Sequence, residues 1–333
     1  MSRSPAVSRL AIARFDRADD TTLDAAARLL AGRHHAHRLV EPRLDPGFED
    51  PVVTRREIEA LAAREGASGS VARRAGVVVG YLLGAPRPPL WGPNMWVEGA
   101  GHAIDPVDPE IVRDLYGHAA AGWVAAGATS HYALVPAHDA DVIDAWFRVG
   151  FGMQHVHGLR DAPAPGEMLV PPPGISVRRA ERADIPVLAR LYVELPEHQN
   201  RSPVFSPLPP PSLEESTNDR EEDFDDPAFT TFVAEHGGRV IGLAVGCAIE
   251  ESSGNSGFLR PPGAGFLGFA AVLPEARGLG AGRALGEAVL GWARDAGHPT
   301  VVTDWRETNL LSSRTWPRLG FRPTYRRLYR AIA

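Results

Sequence analysis

The 333-residue sequence contains no lysine, so all 35 of its basic residues are arginine. A lysine Schiff base and a phosphate-loop lysine are thereby excluded, whatever the fold. A single cysteine, Cys247, rules out an intramolecular disulfide and any cysteine-based metal site. Its setting, "IGLAVGCAIE", alternates as a strand does, so the thiol reads as a buried structural group rather than a nucleophile. No apolar run approaches the roughly 18 residues that span a bilayer, and "MSRSPAVSRLAIARFDRADD" lacks an apolar core followed by a cleavage site. The expectation is a cytoplasmic protein with no membrane partner. Positive charge is also scarce. With 35 basic residues against 41 acidic ones the net charge is −6, which argues against a nucleic-acid partner. Any anionic ligand has to be met by local groups.

What is present is an ordinary globular composition, 44% hydrophobic and 23% charged, in a chain longer than the roughly 250–300 residues at which single cores stop growing. The chain also repeats itself. "RADD" at Arg17 returns as "RADI" at Arg182, "VARRAGVVVGYLLG" from Val71 as "VAEHGGRVIGLAVG" from Val233, and "AWFRVGF" ending at Phe151 as "TWPRLGF" ending at Phe321. All three recur in order at offsets of about 160–170 residues, which divides the chain into residues 1–161, a proline-rich linker 162–174 and residues 175–333. In the second copy, period-2 and period-3.6 patterns predict the order β-α-(α)-β-β-β-α-β-α-β. The hairpin turns at His236–Gly238, and a helix from Ala281 ends at Gly297. The first copy reads the same way, so the fold class is α/β, with helices on both faces of a mixed sheet.

One stretch carries the chemistry. "VLPEARGLGAG", Val272 to Gly282, places Gly278, Gly280 and Gly282 between a buried strand and a helix. Such a junction brings free backbone N–H groups to one point, backed by the positive end of the helix dipole. It is an anion site, most often for phosphate, and Arg277 and Arg283 add charge. The dinucleotide fingerprint needs glycine where Arg283 stands, and the Walker loop needs a lysine, so both fail.

"RGLGAG", followed about 30 residues later by "NLLSSRTWPRLGF", resembles the pyrophosphate loop and following motif of the GNAT N-acetyltransferase superfamily, and the repeat resembles its tandem members. The resemblance implies acetyl-CoA or another acyl-CoA as cosubstrate. The amides of Arg277, Gly278, Leu279, Gly280, Ala281, Gly282 and Arg283 would cradle the pyrophosphate. Ala270 and Val272 would bind the pantetheine and polarise the thioester, and Asn309 would contact the pantetheine arm. Two positions depart from the family pattern: Trp316 stands where a tyrosine acid is common, and Phe266 where a glutamate base is common. Candidates for moving protons are therefore Asp304, Glu307, Glu250, Glu251, Ser313, Tyr325 and Tyr329, each of which also reads as a plain surface residue.

In the first copy "AIDPVDPEIVRD" replaces the glycine loop. Asp108 and Glu110 would repel a pyrophosphate, and Pro106 and Pro109 remove donors, so this copy is expected to be a structural partner. His34 and His37 in "RHHAHR" lack a carboxylate or cysteine to complete a metal set, so they read as a solvated helix end, and no metal is expected. The acidic run Leu213 to Asp226 falls in the segment that lines the acceptor site in the superfamily, and it favours a small cationic amine acceptor. The expected protein is a monomer with an internal pseudo-dimer, whose C-terminal domain moves an acyl group to an amine by direct attack. A non-catalytic acyl-CoA-binding or sensing protein is the alternative.

Overall fold

The structure is a computed structural model and describes residues 9–88, 92–167, 171–252 and 257–332. Its contacts divide into two compact units. The first comprises residues 1–154, 257–259 and 324–333, and the second residues 155–256 and 260–323. The units do not follow the sequence repeat, because each takes a strand from the other half of the chain.

In the first unit the elements run β1 (Leu10–Arg14), α1 (Asp20–Val40), α2 (Pro51–Ala62), β2 (Ser68–Arg74), β3 (Val77–Gly84), β4 (Asn94–Val97), β5 (His102–Ile104), α3 (Ile111–Ala125), β6 (Ser130–Pro136) and α4 (Ala140–Arg148). Strands β1, β2, β3 and β5 form an antiparallel sheet in that order. The period-2 alternation of β3 decides which helices cover which face. Tyr81 and Leu83 pack with Leu30 of α1 and Ile58 of α2, while Leu82 packs with Ile111 and Leu115 of α3. Strand β4 pairs in parallel with β6, and residues 325–331 of the last strand, β13 (Arg322–Ala331), pair antiparallel with β6 on its other edge.

His34 and His37 correct the solvated reading. Both face the core of α1, about 1% and 2% exposed, beside Phe48, His138 and Tyr325. Helix-end position says nothing of which face a residue presents, and their spacing of three puts them on the apolar one. Burial pushes their imidazoles down, to about 4 for His34 and about 2 for His37.

The second unit contains β8 (Ile175–Arg179), α5 (Ile185–Asn200), α6 (Leu213–Asp223), β9 (Phe229–His236), β10 (Arg239–Ala248), β11 (Gly265–Val272), α7 (Ala281–Asp295), β12 (Thr300–Arg306) and α8 (Ser312–Arg318). Its sheet runs β8-β9-β10-β11-β12, with β11 and β12 parallel and the other pairs antiparallel. Residues 155–161 of β7 (Gly152–Asp161) pair antiparallel with β12 and extend the sheet. Leu285 and Val289 of α7 cover one face with Ala244 and Leu267, and Leu188 and Leu191 of α5 cover the other with Leu243 and Val245. Cys247 is buried, as its strand pattern implied. No helix among the described residues is long and apolar enough to cross a membrane.

Candidate active site

Strands β11 and β12 pair only from Gly265–Val301 to Leu267–Thr303, a last rung that the Thr303 hydroxyl reinforces by donating to the Leu267 carbonyl at 2.9 Å. The cause of the separation is on the other edge of β11. There Val245 faces Phe269 and Gly246 faces Leu267, so Gly268 is an extra residue, a bulge that turns the strand away from β12. Beyond it the N–H of Leu273 donates to Ile241 on β10, at 2.9 Å. Because successive residues of a strand direct their polar groups to opposite edges, the N–H groups of Ala270 and Val272 point away from β10, into the gap. The two residues singled out for the thioester thus carry donors with no strand partner on that side.

The gap is the floor of a cleft of about 520 Å³ that continues along the loop to α7. Gly278 and Gly280 have φ of +87° and +89°, and Gly280 is the N-cap of α7 with no side-chain cap, so the amides at the helix start are open. Gly278, Gly280, Ala281, Gly282, Arg277 and Arg283 all line this cleft, while Leu279 turns its side chain outward, 42% exposed. The two loop arginines are already engaged: Arg277 bonds Glu194 of α5 at 2.7 Å and Arg283 bonds Glu287 one helical turn on at 2.6 Å. The cations that line the cleft without a protein partner among the described residues are Arg314 and Arg318 of α8. The sequence reading missed them, since no spacing in "NLLSSRTWPRLG" sets them apart from surface arginines.

Asn309 is buried, 4% exposed, and lines the cleft. Its Oδ1 accepts from the Leu311 N–H at 3.1 Å and lies 3.3 Å from His198 Nε2, which directs its Nδ2 hydrogens elsewhere. Trp316 is buried between Phe321 and the α7 backbone at Gly286, so it is a wall and not an acid. Ser312 lines the cleft; Ser313 does not. Glu307 accepts from the Trp305 indole at 3.1 Å and lies outside the lining. Glu250 is exposed. Tyr329 and Tyr325 belong to the first unit, Tyr329 against the Tyr132 ring and Tyr325 against His37, and neither is among the residues that line this cleft.

Asp304 is the acidic candidate the fold does place here. It follows the last β11–β12 rung and lines this cleft together with His155 of β7, whose Nε2 is 2.8 Å from Asp304 Oδ1. Asp304 also lines a second cleft of about 660 Å³, and the two clefts share Gly268, Phe269 and Asp304. The two clefts therefore meet beside this carboxylate.

Residues 194–321 match the acetyltransferase (GNAT) family. That span is a GNAT acetyltransferase domain. The glycine loop, α7, β12 and α8 all fall inside the matched span, and the general chemistry of that domain family is acyl transfer. The fold of the chain is similar over its whole length to that of a GCN5-related N-acetyltransferase from Sphaerobacter thermophilus, at 17% identity and a TM-score of 0.57, covering 97% of this chain and 96% of that one. A GCN5-related glucosamine N-acetyltransferase region of a fungal multi-domain β-N-acetylglucosaminidase has the same fold, at 16% identity and a TM-score of 0.51, covering 98% of this chain and 38% of that one. No curated protein sequence matches the chain.

The corresponding place in the first unit is built differently. The strand that would match β11 is broken into β4 and β5 by a turn at Glu98–Gly101. Asp108 is held by Arg74 at 2.7 Å, and Glu110, at the start of α3, by Arg113 at 2.7 Å and by Arg148. Carboxylates satisfied by arginine stand where the second unit offers bare amides.

Proposed function

We propose that the second unit transfers an acetyl or other acyl group from coenzyme A to the amine of a small acceptor by direct attack in a ternary complex. The observation that carries this reading is the separation of β11 from β12, which opens two strand donors onto a cleft that ends at an uncapped, glycine-rich helix start. The pyrophosphate would lie on the amides of residues 277–283, with Arg314 and Arg318 supplying positive charge, and the pantetheine along Ala270, Val272 and Asn309. The donors directed at the thioester oxygen are fixed before reaction, and one such donor lowers an acyl-transfer barrier by about 2.7–4 kcal/mol.

In the reaction a cationic acceptor first gives one proton to solvent, the neutral amine nitrogen then attacks the thioester carbon, its second proton passes to Asp304, and the C–S bond breaks to release the thiolate. His155 holds Asp304 from the neighbouring strand, which makes it a positioning residue. The first unit acts as a structural partner, so charge reversal at Asp108 and Glu110 should change kcat little. The test is incubation of the full chain with acetyl-CoA and a panel of amines, with free thiol and acylated amine both measured. Equal amounts of the two confirm transfer, and acyl-CoA binding with no thiol release from any amine returns the protein to the binding or sensing alternative.

A further inference from the structure

We infer that the acceptor is a primary ammonium carried on a flat apolar body of one or two rings, taken by the second cleft of the second unit. The inference rests on the acyl-transfer reading and adds the substrate class. The acidic run from Leu213 to Asp226 does not supply the cleft as a whole: only Asp223 and Asp226 of its carboxylates reach the lining, because α6 turns its other acids outward and Asp225 pairs with Arg182. Aromatic rings form one part of the wall, and Arg179, Thr230, Thr231 and Ser252 belong to the rest. Tyr192 and Phe269 stack at 4.2 Å and 20°, and Phe266 backs the shared residue Gly268. Phe229, at the start of β9, lines the same cleft with 42% of its surface exposed. A ring exposed at a concave site offers an apolar ligand a surface to stack on.

The charges fix which end of the ligand goes where. Arg220 lies 3.9 Å over the Tyr192 ring and 3.5 Å from Asp223, so its charge and that of Asp223 offset one another. Glu251 lines the cleft with no cationic partner among the described residues, and Asp304 stands at the junction with the donor cleft. The Cys247 thiol in the same wall is pushed up to about 11, first by burial and then by Glu251, so it stays protonated and does not compete with the amine. An ammonium drawn toward Glu251 and Asp304 sits at the junction, and its apolar body falls against Phe229, Phe266 and Phe269. A polyamine would leave those rings wet. An aminosugar could bond Thr230, Thr231 and Ser252 of the wall but would leave the Phe229 ring uncovered.

The experiment measures kcat/KM by thiol release from acetyl-CoA with phenethylamine and tryptamine, and with spermidine, glucosamine and alanine amide. Ring-bearing amines should exceed the others by at least about tenfold. Phe229→Ser, at an exposed position that leaves the core intact, should raise KM for the ring-bearing amines about tenfold and leave alanine amide unchanged. Preference for the polyamine, the aminosugar or the amino-acid amide overturns the inference and leaves acyl transfer standing, as does a Phe229→Ser variant that keeps its KM for ring-bearing amines. Thiol release from none of the five amines, with acetyl-CoA bound by calorimetry, overturns the transfer reading and this one with it.

Discussion

A Cβ on Gly280 would lie 2.6 Å from Cγ of Pro172, at a backbone φ of +89°. Both constraints act on one residue: the left-handed conformation costs an alanine about 1–2 kcal/mol, and the linker proline that passes over the loop would have to move. Gly280→Ala is therefore expected to lower stability by about 1–2 kcal/mol in urea titration and to weaken acyl-CoA binding measured by calorimetry. The buried histidines of the first unit give a pH prediction. Desolvation lowers His34 to about 4, His37 to about 2 and His102 to about 3, from an ordinary value of 6.5. The unfolded chain takes up these protons near pH 6.5 while the folded chain does not. The stability is fully present above that pH and is lost as pH falls below it, by up to about 1.4 kcal/mol per pH unit per histidine. Urea midpoints between pH 7 and 5 should show this slope, and His37→Leu should make it shallower. At this scale "RGLGAG" was legible because its message is local, whereas the engagement of Arg277 by Glu194 was not, because the two residues are distant in sequence and meet only through α5.

Single strands and helices decide the site by where they stop pairing. The bulge at Gly268 ends the β11–β12 ladder, and without it Ala270 and Val272 would spend their donors on a neighbour. Helix α8 supplies the cations that the loop itself has committed to carboxylates. Arg314→Glu and Arg318→Glu should each weaken acyl-CoA binding about three- to tenfold, and more so at low ionic strength, as read by calorimetry across a salt series. The strand and helix order was readable from hydrophobic period, including the hairpin turn at residues 236–238 and the helix end at Gly297. The bulge was not, since a glycine in an apolar strand has the same pattern whether it is paired or extra.

In the whole molecule, the strands at the ends of the two copies are exchanged. Residues 324–333 complete the first unit, where Tyr325 and Leu328 are fully buried, and residues 155–161 complete the second, where they bring His155 to Asp304. A chain ending at Pro323 should therefore lose the first unit, because removing two such core side chains at about 3–5 kcal/mol each approaches a typical domain's entire stability. Hydrogen exchange should show the loss in β2, β3 and β6 before it shows in β10 and β11. A fragment of residues 175–333 alone lacks β7, and should neither protect β12 from exchange nor bind acyl-CoA. The sequence by itself determined the twofold repeat, the α/β class and the glycine loop, because these are set by local pattern and backbone chemistry. Only the tertiary structure decided that His155 reaches Asp304, that Tyr325 and Tyr329 serve the first unit, and that Arg314 and Arg318 face the cleft. Those facts depend on which strands lie side by side, and strand pairing between distant segments is fixed by packing over the whole chain rather than by any short run of residues.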